Sequence, residues 1–455
     1  MGKELLFDVL KGNKTNRHAW IPFSGVHSGK LLGYNAIEVL KEEEKLLKSL
    51  LEVNKLYSPD GQIVLFDLQI EAEILGCQLK YVDNCAPSVI SHILTENDLD
   101  DIKLPLPKKS DGRLPLVLNV MRKLKKEIGD KTALIGLICG PFTLASHLRG
   151  VDVFMDMYDY PYKVDNLLNY CVEALKEIVL MYKEVGMDMI GVVDPLISQI
   201  SPQDFEQFMS KPFSKLLEFI NSNNLYSGFF VCGDATKNIE LMCKTLPHAI
   251  FIDENVDIRK AKSITDKYNI CIGGNLQLTV TMLHGSQNDN RKAVIDIIDN
   301  VDNKERLIIA PGCDMPFDTP IENVIAAAQS VFNYKETKKM ISGYEKSLNL
   351  DDVSIELVDY SKLTKPLIEV FTLDSATCAA CGYMMNAVNE LYESNKQLFD
   401  VVEYKFTIKE NIKRCIEIGV KNLPSLYING KLAFSSIIPN KETLLKVIKD
   451  ESDIN

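Results

Sequence analysis

The chain has 455 residues, enough for two or three hydrophobic cores of ordinary domain size. Hydrophobic residues make up 46% and charged residues 25%, as in globular proteins, and a net charge of −12 repels both nucleic acid and anionic membranes. No apolar run approaches the roughly 20 residues that span a bilayer, and the start, Met1 to Asp8, lacks an apolar stretch with a small-residue cleavage site. These features lead us to expect a cytoplasmic protein with neither nucleic acid nor membrane as partner.

Short β-rich runs alternate with long amphipathic stretches, the pattern of parallel strands joined by crossover helices. In chain order the expected strands are 19–24, 63–67, 133–139, 187–194, 228–232, 249–253, 270–274 and 307–310. Helices are clearest over 164–185 and 202–221, where apolar residues recur at three- and four-residue spacing. Eight such units within residues 1–335 predict an α/β protein built on a (β/α)₈ TIM barrel. A doubly wound open sheet, the alternative, would place a Gly-rich phosphate loop after the first strand, and none is present.

After Tyr334 the pattern changes. Residues 336–364 are polar and read as a linker, and residues 365–455 form a new unit. There a strand (367–373), a helix (378–394), a strand (399–407) and a helix (408–419) lead to a strand over 423–428 that turns at Asn429-Gly430. A final helix over 441–449 completes a β-α-β-α-β-β-α order, which matches a thioredoxin-like fold.

The chain has eleven cysteines, which in this context point to thiol chemistry or metal binding more than to a disulfide scaffold. Cys77, Cys85, Cys171, Cys243 and Cys415 read as inert, buried thiols from their helical or apolar settings. The other candidates follow from barrel geometry, because barrel enzymes carry their reactive groups where strands end. His27, Asp67, Cys139, Asp194, Cys232, Asp253 with Glu254, Asn275 and Cys313 fall at or just past the ends of successive strands. Cys232 and Cys313, on strands five and eight, face one mouth. With a carboxylate such as Glu254 they suggest a zinc site, since Zn²⁺ takes thiolate, imidazole and carboxylate in a tetrahedron. The plainer readings are two buried thiols without metal, and acidic groups that only brace loops.

Several segments carry a family resemblance: Phe230-Val-Cys232-Gly-Asp, Phe251-Ile-Asp-Glu-Asn-Val-Asp257, Gly273-Gly-Asn-Leu276 and Ala310-Pro-Gly-Cys313-Asp, with Thr319-Pro beyond. Phe66-Asp-Leu-Gln-Ile-Glu-Ala-Glu73, Gly140-Pro-Phe-Thr-Leu-Ala145, Asp194-Pro and Ile200-Ser-Pro-Gln-Asp-Phe205 belong to the same set. Over about residues 15–335 the chain resembles the corrinoid-dependent methyltransferases of the uroporphyrinogen decarboxylase superfamily. The resemblance implies methyl transfer from a methylated corrinoid protein to a small thiol, with zinc or another thiophilic metal holding the acceptor. It implies Cys232, Cys313 and Glu254 as ligands, Asp194 and Asp67 as groups that orient the acceptor or meet the corrin edge, and Phe230 and Asn275 at the substrate. The methyltransferases carry His-x-Cys at the end of strand five, and here the first position is Phe230. Cys139 and His27 are the candidates to replace the missing ligand. The decarboxylase itself matches less well, because only Arg17 and Lys30 near the first strand would meet its polycarboxylate substrate.

In the second unit Cys378-Ala-Ala-Cys381 lies between a strand and a helix, whose N-terminal N–H groups favour a reactive thiolate. Pro424, before a strand, looks like the thioredoxin-family cis-proline beside that motif. The expectation is a thiol-redox domain with a thiol–disulfide partner.

Overall fold

The computed structural model describes residues 2–345, 350, 353–375, 379–420, 422–435, 439 and 441–452. The chain divides into two compact units, Met1–Ser347 and Leu348–Asn455.

In the first unit eight parallel strands form a nearly closed barrel: Ala19–Trp20, Gly61–Ile63, Ala133–Cys139, Met189–Val193, Tyr226–Val231, Ala249–Ile252, Cys271–Leu276 and Leu307–Pro311. Each from the second onward pairs with the next, and the eighth pairs with the first. All seven residues of Ala133–Cys139 are buried, as expected of a strand covered by side chains inside and helices outside. At the seam between the first and second strands the Asp60 N–H donates to the Trp20 carbonyl at 3.0 Å. The Asp60 carboxylate accepts from the Trp20 N–H and from both terminal nitrogens of Arg17, at 2.6–2.9 Å.

The lower end of the barrel is plugged by the helix Gly2–Lys11, whose Leu6, Val9 and Leu10 join the core formed by Ile21, Ile63, Ile135, Met189, Phe230, Phe251 and Ile308. The fit is close at Gly61, where an added Cβ would lie 2.7 Å from Leu6 Cδ2. With that end filled, the C-terminal ends of the strands are left for a site.

The first two strands are shorter than the sequence pattern suggests. Residues beyond them continue with single bonds, such as the Ile21 N–H to Ile309 O and the Val64 N–H to Ile135 O. The antiparallel hairpin Leu79–Val82 and Cys85–Val89 was not expected, because Pro87 interrupts its β pattern. The helix expected over 202–221 is split by a wider π turn at Phe205–Met209. Pro212 has no amide to donate one turn back to Phe208, and the helix accommodates the lost bond there. Among the described residues no helix is long and apolar enough to cross a membrane.

The second unit has a four-stranded sheet in the order Asp400–Lys405, Leu367–Thr372, Ser425–Ile428, Lys431–Ser435. The first pairing is parallel and the other two antiparallel. Asn429 and Gly430 at the hairpin both have positive φ (49° and 76°), as a tight two-residue turn requires. Helices Ala379–Asn395 and Lys441–Ser452 cover the sheet, and Met384, Val388, Leu444 and Ile448 pack with Ile368, Val370, Leu426 and Ile428. On another side Arg414 donates to Glu369 and to the Tyr360 hydroxyl, which itself donates to Glu369.

Candidate active site

The floor of the barrel mouth is aromatic. Phe230 stacks on Phe251 with ring centroids 4.0 Å apart, and Phe23 lies 5.1 and 5.5 Å from the two. Phe230 is buried and belongs to the barrel core. It therefore fills the place beneath Cys232 where an imidazole would otherwise stand, since alternate residues of a strand share a side.

Above this floor Cys232 and Cys313 are joined as a disulfide, with Cα atoms 5.7 Å apart. The topology brings together two residues 81 positions apart, and both remain half-buried against the aromatic cluster. The sulfurs expected to hold a metal are bonded to each other instead. Among the described residues no three His, Cys, Asp or Glu side chains are set to hold a metal ion. Reduction would release two thiols; the Glu254 backbone N lies 2.6 Å from where a Cβ on Gly312, next to Cys313, would stand, while the Glu254 carboxylate accepts from the Leu278 N–H. Two thiolates and a carboxylate are a donor set for zinc or another thiophilic ion. The oxidised pair does not fit a metal.

The carboxylates around the mouth brace its loops. Asp253 accepts from the Gly233 N–H and from the backbone and side chain of Asn255, tying strand six to the loop after Cys232. Glu254 accepts from the Leu278 N–H, and burial, reinforced by Asp253, pushes its carboxyl up to about 8. Asn275 donates to the carbonyls of Asp253 and Val256 and so clasps a loop.

The two candidate replacement ligands have other surroundings. His27 is fully buried, its Nδ1 on the Phe317 carbonyl at 3.0 Å and its Nε2 on the Tyr57 hydroxyl at 2.8 Å. Burial lowers its pKa to about 4, so it stays neutral with both nitrogens engaged. Cys139 is also fully buried, and burial beside Glu71 and Asp194 raises its pKa well above that of a free thiol.

Asp67 and Asp194 likewise serve as posts. Asp194 accepts from the Phe142 and Thr143 N–H groups and from the Thr143 hydroxyl, pinning the first turn of the helix Pro141–Arg149. Burial pushes its carboxyl up to about 7 despite those bonds. Asp67 accepts from Arg113 at 2.6 Å and from the Gln69 N–H. Arg113 also binds Glu73, which accepts from Tyr81. Arg113 and Tyr81 carried no sequence signal, since they lie far from Asp67 in the chain and outside any motif. Glu71, part of a quoted motif but given no role, is buried, accepts from the Cys139 N–H and is pushed up to about 7 by burial. Of the two basic residues near the first strand, Arg17 closes the barrel seam and Lys30 binds Asp318.

In the second unit Cys378 lies outside the described residues. Cys381 is buried, and its sulfur accepts from the Leu373 N–H at 3.3 Å. Leu423-Pro424 is a cis peptide, as the sequence suggested.

Residues 1–334 match the family model described as uroporphyrinogen decarboxylase (URO-D), and residues 367–449 match a thioredoxin domain. The methylcobamide:CoM methyltransferase MtbA of Methanosarcina acetivorans is 29% identical over 275 residues, 60% of this chain and 79% of that protein. The uroporphyrinogen decarboxylase of Trichodesmium erythraeum is 25% identical over 277 residues, 59% of this chain and 76% of that protein. A solved structure of a methyltransferase from Methanosarcina mazei shares the fold, with a TM-score of 0.67 at 23% identity over 73% of this chain and 99% of that one.

Proposed function

The chain belongs to the uroporphyrinogen decarboxylase family through residues 1–334, and on that premise we propose that it moves a methyl group from a methylated corrinoid protein to a small thiol or similar acceptor. It is an enzyme, and the methylcobamide:CoM methyltransferases among its relatives support this chemistry. The observation that carries the reading is the meeting of Cys232 and Cys313 at the mouth of the barrel, over an apolar floor and beside Glu254. A uroporphyrinogen decarboxylase reading loses its basic residues, because Arg17 and Lys30 are already paired with Asp60 and Asp318.

When reduced, Cys232 and Cys313, with Glu254, would hold zinc or another thiophilic ion. Such an ion supplies a Lewis acid that keeps an acceptor thiol as its thiolate at neutral pH. The aromatic floor excludes water from beneath the acceptor, so the thiolate stays weakly solvated and nucleophilic. Asp194 holds the helix after strand three, and Asp253 holds the loop after Cys232. Both are positioning residues. The thioredoxin-like unit would serve thiol–disulfide exchange with a partner through Cys378 and Cys381.

The test is reduced, zinc-loaded protein mixed with methylcobalamin and a small thiol, followed by absorbance. Loss of the methylcobalamin spectrum, abolished in Cys232→Ser, is the expected result. Conversion of uroporphyrinogen with no demethylation of cobalamin would reverse the assignment.

A further inference from the structure

The thiols of this chain are unevenly placed. Every other described cysteine is buried, whereas Cys232 and Cys313 are half-buried at the open end of the barrel. They sit on different, non-adjacent strand ends, and the Gly233 backbone at φ 102° and Gly312 flank them without side chains of their own. Two residues before Cys232 the ring of Phe230, stacked on Phe251 in the core against which both cysteines pack, offers no donor atom. The same chain carries a domain of the thioredoxin family with Cys378-Ala-Ala-Cys381.

From this placement we propose that Cys232 and Cys313 are a reversible dithiol–disulfide centre in the barrel mouth, opened by a dithiol of the Cys-x-x-Cys class, and that only the reduced form transfers methyl groups. The second clause rests on the methyltransferase reading; the first does not. A thiolate of the incoming dithiol attacks one sulfur of the pair, the Cys232–Cys313 bond breaks, and the other cysteine leaves as a thiolate that takes a proton. The second thiol of the donor then attacks the mixed disulfide, closes the donor's own disulfide and releases the remaining cysteine. Two electrons and two protons pass from the dithiol to the pair. In the oxidised form neither sulfur is a thiolate and the metal donor set is missing, so the centre switches the barrel off under oxidising conditions.

The test uses the full chain, purified without reductant. It is equilibrated against graded ratios of oxidised to reduced dithiothreitol, alkylated and mapped by mass spectrometry. The expected result is a peptide pair linked through Cys232 and Cys313 that opens in one concerted two-electron step. Alkylation of both residues at every ratio, or a link that persists at ratios reducing the unfolded chain, overturns the centre. Cys232→Ser should leave Cys313 open to alkylation without reductant. The donor is identified by the Cys378→Ser/Cys381→Ser variant, in which slower opening by a monothiol assigns the role to the chain's own motif. An unchanged rate there, with fast opening by added thioredoxin, assigns it to a separate dithiol protein. Thiol mapping needs no methyl donor, so it stands even if cobalamin is never demethylated. Equal demethylation rates for the oxidised and reduced forms would overturn the control of activity alone.

Discussion

Phe230 decides the character of the mouth, and exchanging it is the most direct probe. Phe230→His should restore an imidazole two residues before Cys232, on the same side of the strand. Reduced Phe230→His protein should bind zinc more tightly than the parent in competition with a chromophoric chelator; equal affinity would show that position 230 does not address the pair. Losing the stack on Phe251 should destabilise the metal-free protein by about 0.5–1.5 kcal/mol, read by chemical denaturation. Asp194 gives a pH signature. Its folded pKa of about 7 lies above the ordinary 3.8, so the unfolded chain releases this proton first as pH rises. Its contribution to stability is full below about pH 4 and is lost between there and about pH 7. Asp194→Asn, which can keep the bonds to Phe142 and Thr143, should flatten that part of the stability profile, and an unchanged slope would point to Glu71 instead. The meeting of Cys232 and Cys313 was legible in sequence, because they stand at strand ends that one topology must bring together. The hydrogen-bond partners of His27, Asp67, Asp194 and Asn275 were not, since a polar residue at a strand end looks the same whether it faces substrate or clasps a loop.

A buried ion pair braces the second unit. Arg414 and Glu369 have almost no exposed side-chain surface, and both bond to the Tyr360 hydroxyl. Arg414→Met alone would leave Glu369 charged and buried, at a cost of about 3–5 kcal/mol. Arg414→Met/Glu369→Leu should recover most of that loss. Destabilisation in the double variant as large as in the single one would mean that packing, not charge, dominates. The elements here were readable because their hydrophobic periods are clean and the Asn429-Gly430 turn is unambiguous. Those that escaped carry a proline where the pattern needs an amide, Pro87 in the hairpin and Pro212 in the interrupted helix.

Each unit has its own hydrophobic core, so calorimetry should resolve two unfolding transitions. A single cooperative transition would show that the cores are energetically coupled. The barrel was predictable as a count of eight alternating units, yet counting did not show how its ends would meet. They meet at a seam where Asp60 and Arg17 complete a ladder that the two-residue first strand cannot supply. That seam gives the cylinder a parting line. In native-state hydrogen exchange the amide of Asp60 should open at lower free energy than those of Ile135 or Leu137 in the middle of the sheet, and Asp60→Asn should lower it further. A barrel that breathes along one line admits water and exchanges its first strand there, leaving the far wall, with the Cys232 loop, as the last part to lose its shape.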